Sequence, residues 1–182
     1  MMDRSTCLYP DRLDCGGVKQ WLERTPVRLQ PPFAAGHNLV KTLDFAEYHP
    51  NCTGPLRLHA GVDVGRCNGL PVLAPWRSIV RRSGWCRGGG GYLFLEIYDD
   101  STPEPVYLRL FHLGKRYVRR GQVVATGEVI ARIRGNSGSR STGTHLHIEL
   151  LYGRRWPRPW AYAVNIRRLA ETTAWQTAIE GY

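Results

Sequence analysis

From Leu39 to Tyr152 the chain alternates apolar and polar residues in short runs, each closed by glycine, proline or an Asp-Asp pair. Runs at 39–45, 78–82, 92–98, 106–111, 122–125, 129–133 and 145–152 carry the two-residue period of half-buried strands. Leu70-Pro71-Val72-Leu73-Ala74-Pro75 adds one more apolar run. Short strands at such close intervals predict a mainly β fold, an antiparallel sandwich or barrel-like core. No segment repeats with a period of about 20 to 50 residues. The tract Gly88-Gly89-Gly90-Gly91 is the one low-complexity stretch.

The two ends follow other patterns. Residues 1–35 mix apolar residues with breakers at Pro10, Gly16-Gly17 and Pro26, which leaves room only for a short helix over 18–23. This part is expected to be an N-terminal extension to a body spanning 36–162. Beyond Pro157 and Pro159 the period changes. Residues 166–175 have helical spacing, with Ile166, Leu169, Ala170 and Thr173 toward one side, so 163–182 is expected to form a helical tail that caps the body.

Charge narrows the partners. The 182 residues carry a formal net charge of +10, almost wholly from arginine, since Lys19, Lys41 and Lys115 are the only lysines. Such a balance suits a polyanion, an acidic wall polymer among them. The arginines are scattered as doublets, and no nucleic-acid-binding module is recognisable, which argues against a specific nucleic-acid partner. No apolar run is long enough to cross a bilayer, so no membrane insertion is expected. Met1 to Pro10 contain no apolar core of a secretory signal; the expectation is synthesis in the cytoplasm and release by another route, or carriage in a phage particle. Cys7, Cys15, Cys52, Cys67 and Cys86 include no Cys-x-x-Cys pair, which makes a thiolate zinc knuckle a poor fit and reduced thiols the expectation.

The chemistry gathers at Gly143-Thr144-His145-Leu146-His147-Ile148-Glu149-Leu150. On a strand, His145, His147 and Glu149 project from one face. Upstream, His59 and Asp63 lie four residues apart around Gly61. With one histidine of the pair they supply two nitrogens and a carboxylate, the three-ligand set of a catalytic zinc with an open fourth position. Spacing does not decide which member of the pair binds. The other, with His112 at the end of an apolar strand, is then free to handle protons or stabilise charge. His37 and His49 have no such company and are read as ordinary turn histidines.

His59-x-x-x-Asp63, then Phe111-His112-Leu113, then the Gly-Asn-Ser-Gly-Ser-Arg-Ser-Thr-Gly-Thr-His-Leu-His-Ile-Glu run at 135–149 together resemble the lysostaphin-type, LytM-like zinc endopeptidases, which cut peptide cross-links in bacterial walls. The similarity extends from about Gly36 to about Tyr162, including Val118 to Ile130 ahead of the histidine pair. It implies that His59, Asp63 and His147 hold one Zn2+ ion and that His112 and His145 are the catalytic histidines. Glu149 fits the pattern too, either orienting a ligand or pairing with an arginine. The substrate implied is peptidoglycan, cut in its stem or cross-bridge peptides, with a phage or prophage lysis or tail-associated enzyme as the setting. A non-catalytic member binding wall polymer or a partner protein is the alternative, although no ligand is missing here. Gly91-Tyr92-Leu93-Phe94 and Leu110 depart from the family pattern and bear on substrate preference. Cys67, close to Asp63, is expected to be a buried bystander.

Overall fold

The computed structural model describes residues 22–45, 47, 59–97, 99–100, 105–135, 138–139, 141, 143–153 and 163–182. The expected helix at 18–23 lies outside them except for its last residues, as do His49 and most of the Ser-Thr-Gly lead-in at 136–142. Among the described residues the fold is mainly β, as the alternation predicts. The strands are β1 (Leu39–Leu43), β2 (Val62–Gly65), β3 (Pro71–Leu73), β4 (Ser78–Cys86), β5 (Gly90–Ile97) and β6 (Val106–Arg116). They continue with β7 (Val123–Val124), β8 (Val129–Ile133), β9 (His145–Tyr152), β10 (Ala163–Val164) and β11 (Ile179–Glu180).

All belong to one hydrogen-bonded sheet with the order β11-β1-β2-β9-β6-β5-β4-β7; β10 adds to β9, and β3 joins through β8. Every pairing is antiparallel except β1 with β11. The centre, β2-β9-β6-β5, sets the site. Its register puts Val62, Ile148, Leu110 and Leu93 in one cross-strand row, and all four are fully buried. Burial of such side chains stabilises by roughly 1.5–3 kcal/mol each. The next positions along the same strands point the other way, as the pleat requires. They form two rows: Asp63, His147 and Phe111, then Glu149, Arg109 and Phe94.

β6 changes partners along its length. Val106 to Phe111 pair with β9, whereas Leu113 and Arg116 pair with β8. Through β8 the chain reaches β3, and Val72, Ile130 and Ile133 join the same buried cluster as Leu93, Leu110 and Ile148. His112 sits at this change of partner.

The C-terminal segment departs from the single helix expected over 166–175. Asn165 caps a 3-10 turn at Ile166–Arg168, and a separate helix α1 (Thr172–Ala178) begins where the Glu171 carboxylate accepts from the Ala174 amide. Ala170, between them, is tied to Leu29 by a parallel bridge. Backbone groups used in that bridge are unavailable to a continuous helix. The segment then returns to the sheet edge as β11. Trp175, fully buried, donates its indole N–H to the Leu29 carbonyl at 2.7 Å. Val27, Leu29 and Phe33 are buried in the common core, so the end of the N-terminal stretch packs with the tail rather than standing apart.

Candidate active site

Asp63 on β2 and His147 on β9 are direct cross-strand partners. His59 comes in from the loop before β2. Gly61 lets that loop lie against β9: a Cβ on Gly61 would collide with the Ile148 carbonyl. Three donor atoms converge as a result. His59 Nε2 and His147 Nδ1 are 2.9 Å apart; Asp63 Oδ1 is 2.8 Å from His147 Nδ1 and 3.2 Å from His59 Nε2.

The outer nitrogens of both rings are engaged. His59 Nδ1 donates to the Asp44 carbonyl at 3.0 Å, and His147 Nε2 donates to Glu149 Oε1 at 2.9 Å. Each ring thus has its outer nitrogen fixed by an oxygen acceptor and its inner nitrogen aimed at the other ring and at a carboxylate. This donor chemistry fits a divalent cation: two imidazoles and one carboxylate with their outer N–H groups fixed by oxygen acceptors. Among the described residues this is the group of histidine and acidic side chains able to hold a metal.

The electrostatics agree. Burial disfavours the charged form of Asp63, but hydrogen bonds from His147 and His59 outweigh it and hold the carboxyl well below the usual range. Burial likewise opposes charge on His147, yet Asp63 and Glu149 on its two nitrogens push its pKa up to about 10. The locus attracts positive charge strongly.

His145 and His112 flank this cluster, with ring centroids 4.5 Å apart. His145 Nδ1 donates to the Gly143 carbonyl at 3.0 Å, which also accepts the Ser141 hydroxyl at 2.6 Å. The His145 lone pair is thereby placed on Nε2, 3.6 Å from Asp63 Oδ2. Burial lowers the pKa of His145 further than the Asp63 charge raises it, which favours the neutral ring.

His112 reaches the site through an irregular backbone. Regular alternation would turn it to the core side with Leu110. Its φ of +62° interrupts the pleat, and β5 and β6 slip register there, between Gly91 and Leu93. The His112 amide donates to the Gly89 carbonyl at 2.9 Å, and Gly89 packs against the Phe111 ring too closely to carry a Cβ. The glycine tract, featureless in sequence, is what makes room for this bulge.

His59, Asp63 and His147 meet at one point, His112 and His145 stand beside it, and Glu149 serves both expected partners at once. Its Oε1 holds His147, and its Oε2 lies 2.9 Å from Arg109 Nη1. His37 is exposed and apart from the cluster. Cys67 is buried in the core with its thiol on the Val64 carbonyl, the bystander expected. Arg109 was missed. The signal was available, because alternation places Arg109 on the face of Tyr107 and Phe111, and a buried arginine needs a carboxylate partner.

Such a donor set with two adjacent imidazoles is the arrangement that a metallopeptidase uses. The chain belongs to Peptidase family M23, whose pattern matches residues 57–159 and so covers His59, Asp63, Arg109, His112, His145, His147 and Glu149. It is 41% identical over 101 residues to an uncharacterized metalloprotease of Haemophilus influenzae, covering 56% of this chain and 20% of that protein. It is 34% identical over 103 residues to the peptidoglycan DD-endopeptidase ShyC of Vibrio cholerae, covering 57% and 22%. The chain thus spans about a fifth of the length of these curated relatives. Among solved structures it resembles a zinc-containing peptidase from Vibrio cholerae, with TM-score 0.58 and 27% identity over 76% of this chain and 39% of that one. The catalytic domain of lysostaphin from Staphylococcus simulans shares the fold, with TM-score 0.59 and 24% identity over 81% and 93%.

Proposed function

We propose that this protein is a zinc-dependent endopeptidase that hydrolyses an amide bond in the stem or cross-bridge peptides of peptidoglycan. The observation that carries the reading is the convergence of His59 Nε2, Asp63 Oδ1 and His147 Nδ1 beside the paired rings of His112 and His145. A zinc-containing structural neighbour and a relative named for peptidoglycan cleavage support the metal and the substrate class. Work on the wall is done outside the cytoplasm, by a bacterial or a bacteriophage-encoded protein, and the cationic surface favours contact with acidic wall polymers.

His59, Asp63 and His147 hold the ion, which when bound supplies a Lewis acid for the scissile carbonyl and lowers the pKa of water. His145, neutral with its lone pair on Nε2, takes a proton from the attacking water. A carbon–oxygen bond forms as the carbonyl becomes tetrahedral, and the adjacent His112 stabilises the oxygen anion. The carbon–nitrogen bond then breaks, and His145 returns its proton to the leaving amine.

The test is clearing of purified walls of several chemotypes, with mass analysis of the released fragments. Chelation should stop clearing and zinc should restore it. His147→Ala should lose both metal and activity; turnover by that variant without metal would sink the reading.

A further inference from the structure

Arg109 lies mid-strand in β6 and is only 7% exposed. The rings of Phe94 and Phe111 each sit 4.8 Å from its guanidinium carbon. Burying a guanidinium is costly, and a well-packed apolar side chain would fill a space between two phenylalanines at no such cost. Its Nη1 is 2.9 Å from Glu149 Oε2, directly across the strand pair. Yet Arg109 Nε and Nη1 and Glu149 Oε2 make no well-aligned hydrogen bond, so the contact acts through charge and through the aromatic clamp. The other Glu149 oxygen, Oε1, is the acceptor for His147 Nε2. One line of contacts therefore runs from Arg109 through Glu149 to the imidazole whose far nitrogen, Nδ1, faces His59 and Asp63.

We propose that Arg109, held between Phe94 and Phe111, is a positioning residue for the metal centre: it orients the Glu149 carboxylate, which keeps the proton of His147 on Nε2 and presents Nδ1 to the ion. Without the guanidinium the carboxylate is free to rotate, and the His147 ring loses the partner that fixes its tautomer. This inference rests on the zinc-site reading above.

Arg109→Met tests it in the full chain, keeping most of the stem between the two rings and removing the charge. Zinc affinity is measured by competition with a chromophoric chelator, and the protonated nitrogen of His147 by nitrogen-15 NMR of the histidine side chains. The expected result is zinc bound about 10- to 100-fold more weakly, with His147 no longer held in one tautomer. Arg109→Lys, which keeps charge but lacks the planar fork, should recover part of the affinity. Combining Arg109→Met with Glu149→Gln should bind zinc no worse than Glu149→Gln alone, because the two residues act in series.

Wild-type affinity in Arg109→Met with only a lowered melting temperature would overturn the proposal, as would losses that simply add in the double variant. Should Arg109→Met fail to fold, Arg109→Lys carries the same comparison: weakened zinc binding supports the proposal, and wild-type affinity with an unchanged His147 tautomer overturns it. Failure of the wild-type protein to bind zinc would instead overturn the metal-site reading itself.

Discussion

The rings of His112 and His145 stand 4.5 Å apart, edge toward face, because the backbone at His112 leaves the regular pleat. A left-handed conformation at a residue with a Cβ costs about 1–2 kcal/mol, and here it turns an imidazole from the core side to the site side. The strain falls where a proposed catalytic group requires it.

His112→Ala and His112→Gly should both retain zinc and lose roughly 10²–10³-fold in turnover, the range for removing one donor to a developing oxyanion. Of the two, the glycine variant should be the more stable, by about 1 kcal/mol, since glycine carries no penalty at that φ. Denaturant melts of the pair check this. Equal stability would mean that the backbone relaxes when the imidazole is removed.

Gly61→Ala should damage the site without touching any donor atom. The added methyl meets the Ile148 carbonyl, so β2 and the His59 loop must move away from β9. A loss of about 1–3 kcal/mol is expected, together with weaker zinc binding as His59 and Asp63 shift relative to His147. Thermal melts and chelator competition measure the two effects separately.

Asp44 links site and tail. Its carboxylate meets Lys41 Nζ at 2.7 Å and Arg167 Nη2 at 2.8 Å, and its carbonyl accepts from His59. Burial works against its charge, but hydrogen bonds from Lys41 and the Phe45 amide, together with the charge of Arg167, lower its pKa from 3.8. A carboxyl with a lower pKa when folded stabilises the protein above the unfolded value, and that stability is lost as pH falls through the folded value. Asp44→Asn should therefore cost less than about 1 kcal/mol at pH 7. The gap to wild type should close as the pH falls below the folded pKa, as urea melts across that range would show.

The Cys67 thiol, raised to about 11 by burial, should resist alkylation in the native protein at pH 8 and react once denatured. Peptide mapping after labelling reads this directly. Cys67→Ala should bind zinc normally, because the sulfur faces the Val64 carbonyl and not the donor cluster.

Much of the site was legible because a strand reports its faces locally. His145, His147 and Glu149 are spaced by two, and so are Arg109 and Phe111; only the search for a carboxylate partner was needed to give Arg109 its place. The tail was less legible. Ile166, Leu169 and Ala170 have helical spacing, but the bridge from Leu29 to Ala170 breaks the helix, and a contact so distant in sequence leaves no local pattern.

The chain by itself determined the donor atoms, their order and the β framework, since side-chain chemistry and the two-residue period are local properties. Only the tertiary structure decided that positions 59, 63 and 147 meet, through the register of β2 on β9. It alone also turned His112 from the core side toward the site. That rotation depends on β6 exchanging β9 for β8 and on the Gly89 carbonyl receiving the His112 amide, hydrogen bonds between segments whose meeting no local alternation encodes.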